Sequence, residues 1–181
     1  MRIDIRDENG VVGALVEITE QPSDELVGLM TAWRQGRVAK LNQRLTIRKT
    51  REWLETFFKS TSRLFWIMEN DKFIGQCGFC NLTTEGAELN YFIRGAGSSD
   101  KELVIHAGLA LIKWLRGHDI KDIYAMVAVR NKRPMELTLD GSFKLAKGYS
   151  FDGSYRKFGK KVNMVRVDLD LKKLHERYPW L

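Results

Sequence analysis

YFIRGAGSSDKEL, residues 91–103, runs from an apolar strand-like stretch through two glycines and two serines into a segment that starts acidic and turns apolar. A glycine turn that feeds directly into a helix collects successive backbone N–H groups at the helix N-terminus, where a phosphate can be held. The same residues also serve as a tight strand–helix connection, with Ser98 or Ser99 as N-cap. The loop is not a Walker A loop, because no Gly-Lys-Ser/Thr follows. It is not a dinucleotide fingerprint, because Gly95-Ala96-Gly97-Ser98-Ser99-Asp100 lacks the third glycine.

Working outward, AELNYFI (87–93) reads as the strand that delivers the chain to the turn, and DKELVIHAGLALIKWLRG (100–117) as the helix that leaves it. Leu103, Ala107, Leu111 and Trp114 share one helix face, and Gly117 is a C-cap signal. IYAMVAV follows as a buried-type strand, RPMELTLD as a short helix with Pro134 near its start, and FKLAKGY and VNMVRVDL as closing strands. Upstream, MRIDIR and GALVEI flank DENGVV, whose Asn9-Gly10 is a hairpin signal. Ser23 caps a helix through Leu26, Leu29, Met30 and Trp33, and Thr46 caps a second with Trp53, Leu54, Phe57 and Phe58 as its stripe. RLFWIM and FIGQCGFCNL, joined by ENDK, form another hairpin. This order predicts an α/β (α+β) fold: a mixed, mainly antiparallel sheet with helices on both faces.

The 181 residues, 44% hydrophobic and 29% charged, suit one domain spanning 1–181, with an additional N-terminal strand at about residues 1–6. MRIDIRDENG lacks an apolar signal-peptide core, and LVIHAGLALIKWL is interrupted by His106 and Lys113 and too short to span a bilayer. A cytoplasmic protein without membrane contact is expected, and a homodimer is compatible with the chain. Cys77 and Cys80 form C-x-x-C, but on a strand residues three apart point to opposite faces, so neither a metal nor a redox site is expected. Between Trp33 and Arg63 there are nine basic residues and two acidic ones, within a net charge of +7. That window is either a solvated surface or a site for an anionic ligand or partner.

Together, the strand AELNYFI, the glycine turn and helix, and then IYAMVAVRNKRPMELTLDGSF resemble the GNAT superfamily of N-acetyltransferases. Arg94-Gly95-Ala96-Gly97-Ser98-Ser99 is similar to the family's Q/R-x-x-G-x-G/A turn, and Val127 to Asn131 to its V-x-x-x-N strand exit. TAWRQGRVAKLNQRLTIRKTREWL and SYRKFGKKVNMVRVDL look like the helices and closing hairpin of the branch that includes ribosomal-protein and amino-sugar acetyltransferases. The glycine turn follows Ile93 at once, Ser142-Phe143 replaces the usual Gly-Phe, and Thr138 stands where the family carries a tyrosine that protonates the departing thiolate.

The resemblance implies acetyl-coenzyme A as acyl donor. Its ligands would be Phe92, Ile93, Arg94, Gly95, Ala96, Gly97, Ser98 and Ser99 along the strand end and turn, with Asn131 and Arg133 beyond. It places Trp33 and Arg34 where the first helices line the acceptor site. Glu88, on the strand that ends at the turn, is the candidate base that takes a proton from the acceptor ammonium. Tyr149 and Tyr155 are candidate substitutes for the missing acid, and His106 reads as a packed histidine. With the basic window beside the acceptor side, a small anionic amine such as a nucleotide-linked amino sugar is the expected acceptor. The alternatives are a protein amine, or a GNAT-like protein without acetyl transfer that binds nucleic acid.

Overall fold

In a computed structural model, residues 1–38, 44–95, 102–128, 142–145, 156–157, 160–161 and 164–181 are described. The chain opens with the hairpin written in DENG: β1 (Arg2–Asp7) and β2 (Gly10–Glu17) pair antiparallel. Asp7 Oδ1 accepts from the backbone N–H groups of Asn9 (2.7 Å) and Gly10 (3.0 Å), and Gly10 takes φ +142°, which favours glycine. Helix α1 (Asp24–Val38) starts at Ser23, whose Oγ accepts from Leu26 N at 3.4 Å. Helix α2 (Ile47–Phe58) starts at Thr46, whose Oγ1 accepts from Lys49 N at 3.2 Å. The two helices are tied by the Thr31–Thr50 hydroxyl pair (2.8 Å) and the Arg51–Asp24 ion pair (2.5 Å).

Strands β3 (Arg63–Glu69), β4 (Lys72–Cys80) and β5 (Gly86–Arg94) continue the antiparallel run. Helix α3 (Glu102–Gly117) then crosses to β6 (Asp122–Ala128), which pairs parallel with β5. Short strand β7 (Phe143–Leu145) precedes the two-residue ladder of β8 (Arg156–Lys157) and β9 (Lys160–Lys161). Strand β10 (Met164–Leu169) inserts between β6 and β7, giving the order β1-β2-β3-β4-β5-β6-β10-β7. The sheet is mixed and mainly antiparallel, with helices on both faces, as the sequence predicts.

Each face has its own core. On one, Leu103, Ala107 and Leu111 of α3 pack over Phe65, Cys77, Phe79 and Leu89; on the other, Val27, Met30 and Trp33 of α1 and Leu54 and Phe57 of α2 pack over Leu64, Trp66 and Ile93. The sequence reading ends the chain on strands, whereas the structure adds helix α4 (Leu171–Arg177), capped by Asp170. Only Leu174 of this helix is buried, so seven residues carry too little periodicity to announce it. The tail after it packs on the α3 side, and Lys113 Nζ donates to the Leu181 carbonyl at 3.1 Å. The short helix expected at RPMELTLD lies outside the described residues. Among the described residues, no helix is long and apolar enough to cross a membrane.

Cys77 and Cys80 are both buried free thiols on β4, Cys77 in the α3-side core and Cys80 beside Asn90 on the other face. Burial pushes both thiols up, Cys80 to about 12, helped by the nearby Glu88 charge. Both should therefore resist a thiol reagent such as DTNB in the native protein at pH 8 and react fully in denaturant; rapid native labelling would contradict the strand placement.

Candidate active site

The sheet divides at one line. Strands β5 and β6 pair at Gly86–Asp122, Ala87–Ile123 and Glu88–Tyr124. Beyond Glu88 both strands continue, β5 to Arg94 still laddered with β4 and β6 to Ala128 still laddered with β10. Their facing edges make no further pairs among the described residues. The cause is visible in β5, which runs three residues from Asn90 to Ile93 while β4 runs two from Gly78 to Gln76. Tyr91, in the left-handed region at φ +63°, marks this bulge. An extra residue bends a strand away from its neighbour and reverses the alternation of its side chains. Asn90 and Tyr91 thus share the α1/α2 face: Asn90 reaches Glu88, and the Tyr91 ring meets Trp53 (5.9 Å) and Phe57 (5.2 Å).

Glu88 stands at the apex of the opening and is only 7% exposed. Asn81 Nδ2 donates to its Oε2 and Asn90 Nδ2 to its Oε1, each at 2.9 Å. Burial raises its pKa above the ordinary carboxylate value, and hydrogen bonds from Cys80, Asn81 and Asn90 oppose that rise. Across the strand pair, the Tyr124 phenol is also pushed up, first by burial and then by the Glu88 charge. The Arg166 guanidinium lies 4.0 Å from the Tyr124 ring centre and is tied to Asp168 (2.6 Å) and Asp122. Asn81, Asn90, Tyr124 and Arg166 escape the sequence reading. Asn90, two residues from Glu88 on the same strand, was within reach of alternation alone; the other three arrive from different strands.

Trp33 and Arg34 sit on the same side of the sheet as Glu88. Trp33 is 8% exposed and meets Trp66 edge-on at 6.0 Å. Its ring also closes over Gly95, the first turn residue, where a Cβ would fall 2.5 Å from ring carbons. Gly95 N–H donates to the Ile74 carbonyl at 2.7 Å, so the turn starts from a fixed point. The glycine is required by close approach to the indole and not by a positive φ. The Arg34 guanidinium lies 3.9 Å from the Trp53 ring centre, and its Nη1 is buried with no hydrogen-bond partner. Burial pushes its pKa down to about 10, with a small opposing effect from Tyr91. Ile93 is buried on the α1/α2 side, Phe92 packs on the α3 side, and Arg94 is exposed. His106 is packed edge-on to Trp180 at 5.7 Å. Ala96, Gly97, Ser98, Ser99, Asn131, Arg133, Thr138, Tyr149 and Tyr155 lie outside the described residues.

The described residues thus form a mixed sheet opened between two parallel strands, with a buried carboxylate at the apex. Residues 15–138 match the acetyltransferase (GNAT) domain, and the chain belongs to this family of acetyltransferases. No protein of curated function matches the chain by sequence. Solved structures share the fold at low identity. A probable GNAT-family acetyltransferase from Chromobacterium violaceum is 13% identical with a TM-score of 0.76, covering 94% of this chain and 88% of its own. The acetyltransferase that modifies the N-terminal serine of ribosomal protein L7/L12 in Salmonella typhimurium is 12% identical with a TM-score of 0.70, covering 93% and 97%. The microcin C7 self-immunity acetyltransferase MccE, solved with acetyl-CoA and AMP, is 15% identical with a TM-score of 0.66, covering 87% and 91%. The family and the enzyme class are those the sequence reading expects.

Gly95→Ala should cost about 1–3 kcal/mol in urea unfolding, the usual range for over-packing a filled core. The tryptophan emission should shift as the Trp33 indole gives way. An unchanged midpoint and spectrum would show that the ring does not press on the turn.

Proposed function

We propose that the protein transfers the acetyl group of acetyl-coenzyme A to the primary amine of a small anionic acceptor, with a nucleotide-linked amino sugar as the favoured type. The donor arm enters the opening between β5 and β6, whose facing edges make no ladder pairs beyond Glu88 among the described residues. The residues fit this role: one wall ends at Gly95, held to Ile74, where the glycine turn begins.

Glu88 takes a proton from the acceptor ammonium, directly or through one water, freeing the amine lone pair. The amine nitrogen attacks the thioester carbon, and the carbon–sulfur bond breaks as the tetrahedral oxyanion collapses. The electron pair leaves with sulfur, and the remaining extra proton on the acylated nitrogen passes to the departing thiolate, directly or through water. With a thiol pKa of about 8.5, coenzyme A departs without requiring a strong dedicated acid. Backbone N–H groups on the bent stretch of β5 are the candidate oxyanion donors.

The acceptor class rests on Arg34. A buried guanidinium with no carboxylate partner among the described residues is costly, and an incoming phosphate or carboxylate would relieve that cost. Trp33 and Trp53 beside it supply aromatic surface. MccE accommodates AMP together with acetyl-CoA on the same fold, which supports a nucleotide-bearing acceptor. The L7/L12-modifying enzyme keeps a protein amine as the competing acceptor.

Acetyl-coenzyme A should raise the melting temperature in a thermal-shift assay; no rise at millimolar ligand would remove the donor from this reading. Turnover on a nucleotide-linked amino sugar should be lost in Glu88→Gln while that thermal shift persists. Because the Glu88 carboxyl must be ionised and its pKa is raised, the acid limb of kcat/KM should lie above the ordinary glutamate range, with activity falling as pH drops through it. Arg34→Met should lower kcat/KM for the acceptor about ten- to a hundredfold, the size of a lost hydrogen bond to a charged group. It should also raise the melting temperature of the ligand-free protein, since a buried unpaired charge is removed. Micromolar nucleic-acid binding that weakens steeply with salt, without turnover on any amine, would instead favour the binding protein.

A further inference from the structure

Glu88 is held in an unusual way for a buried carboxylate. Beside the Cys80 thiol, two neutral amides hold it, Asn81 just past β4 and Asn90 on β5, one on each oxygen at 2.9 Å. Their orientation follows from chemistry. An ionised carboxylate only accepts hydrogen bonds, so each asparagine must present its Nδ2. Asn90 is fixed further, because its Oδ1 accepts from the Tyr91 backbone N–H at 2.7 Å, a bond set by the bulge. Asn81 occupies the left-handed region at φ +52°, just past the end of β4, a conformation asparagine tolerates better than most residues. This turn brings its side chain back to Glu88.

The charged and titratable groups around Glu88 do not replace this arrangement. From β4 the Cys80 thiol is close and neutral. From β6 comes the Tyr124 phenol, and from β10 the Arg166 guanidinium, which is already shared between Asp122 and Asp168. From α1 comes Arg34, whose guanidinium lies against Trp53. No lysine or arginine forms an ion pair with Glu88 among the described residues.

We infer that Asn81 and Asn90 act as a neutral two-sided clamp that positions the Glu88 carboxylate for proton transfer at the opening between β5 and β6, an inference that rests on the reading of Glu88 as the base. With Cys80 these amides occupy three of the roughly four acceptor positions of the carboxylate, which leaves room for the acceptor ammonium or a bridging water. Two neutral donors hold the anion in a buried place without the strong loss of basicity that a partnering cation would cause. The clamp residues do not touch the reacting atoms; they are positioning residues.

The test uses the full-length protein labelled with glutamate enriched in 13C at the δ-carboxyl. The resonance missing in Glu88→Gln reports Glu88, and its titration needs no acceptor. In the wild type its midpoint should lie above the ordinary value of about 4.3. Donors to the charged form lower a carboxyl pKa, so removing either amide should raise the midpoint further, by about half a unit to one unit. Asn90→Leu removes one donor at near-constant size. Asn81→Gly removes the other while allowing the left-handed backbone, and Asn81 is exposed, so this variant keeps the test open if Asn90→Leu fails to fold. The acid limb of kcat/KM should move upward in parallel, with the acetyl-coenzyme A thermal shift unchanged. A lowered melting temperature with an unmoved Glu88 midpoint would reduce the asparagines to structural residues and overturn the clamp. Full turnover in Glu88→Gln would remove the base reading on separate grounds, with the NMR midpoints still deciding whether the amides hold the carboxylate.

Discussion

One extra residue in β5 organises this molecule. Because β5 runs three residues where β4 runs two, the strand bends at Tyr91 and leaves the line of β6 beyond Glu88. A regular strand would continue the parallel ladder and close the sheet. The bulge instead opens the sheet, exposes two backbone edges and turns Asn90 and Tyr91 to the same face. Tyr91 then anchors the aromatic surface of α2, and Asn90 anchors the carboxylate. The opening is stable because each wall keeps its outer partner, β4 for β5 and β10 for β6.

The same face carries three buried or half-buried charges handled in three ways. Arg166 is neutralised twice, by Asp122 and Asp168, and its pKa moves up despite burial. Glu88 is held by neutral donors, and burial raises its pKa against their opposing effect. Arg34 lies against an aromatic ring with no carboxylate partner among the described residues, and its pKa moves down to about 10. Burying an ion without a partner costs several kcal/mol, and a desolvated cation–π contact returns about 2 kcal/mol or more of it. Among the described residues Arg34 thus has the ring contact and no ion pair, whereas Arg166 is paired with two carboxylates.

Trp33 connects these features to the end of β5. Its indole covers Gly95 and meets Trp66, so the first glycine of the turn, helix α1 and strand β3 share one contact. Arg34 follows directly on the same helix. Gly95 and the Arg34–Trp53 contact are thus held by adjacent residues of α1.

The sequence by itself determined whatever depends on near neighbours along the chain. Asn9-Gly10 specifies the first hairpin, Ser23 and Thr46 start the helices, and Glu88 belongs to the strand before the glycine turn, because turns, caps and alternation involve residues a few positions apart. The opposite placement of Cys77 and Cys80 followed from the same period of two. Tertiary structure alone decided the opening and what lines it. Asn81 and Glu88 are seven residues apart across a strand turn, and Tyr124 faces Glu88 only through the parallel register that α3 creates. Arg166 reaches Asp122 across 44 positions, and Gly95 meets Trp33 across a sheet and a helix. Helix α4 belongs with these, since its one buried leucine gains meaning only from the surface it covers. Register between distant strands is set by the summed burial of both faces, a quantity that no local spacing encodes.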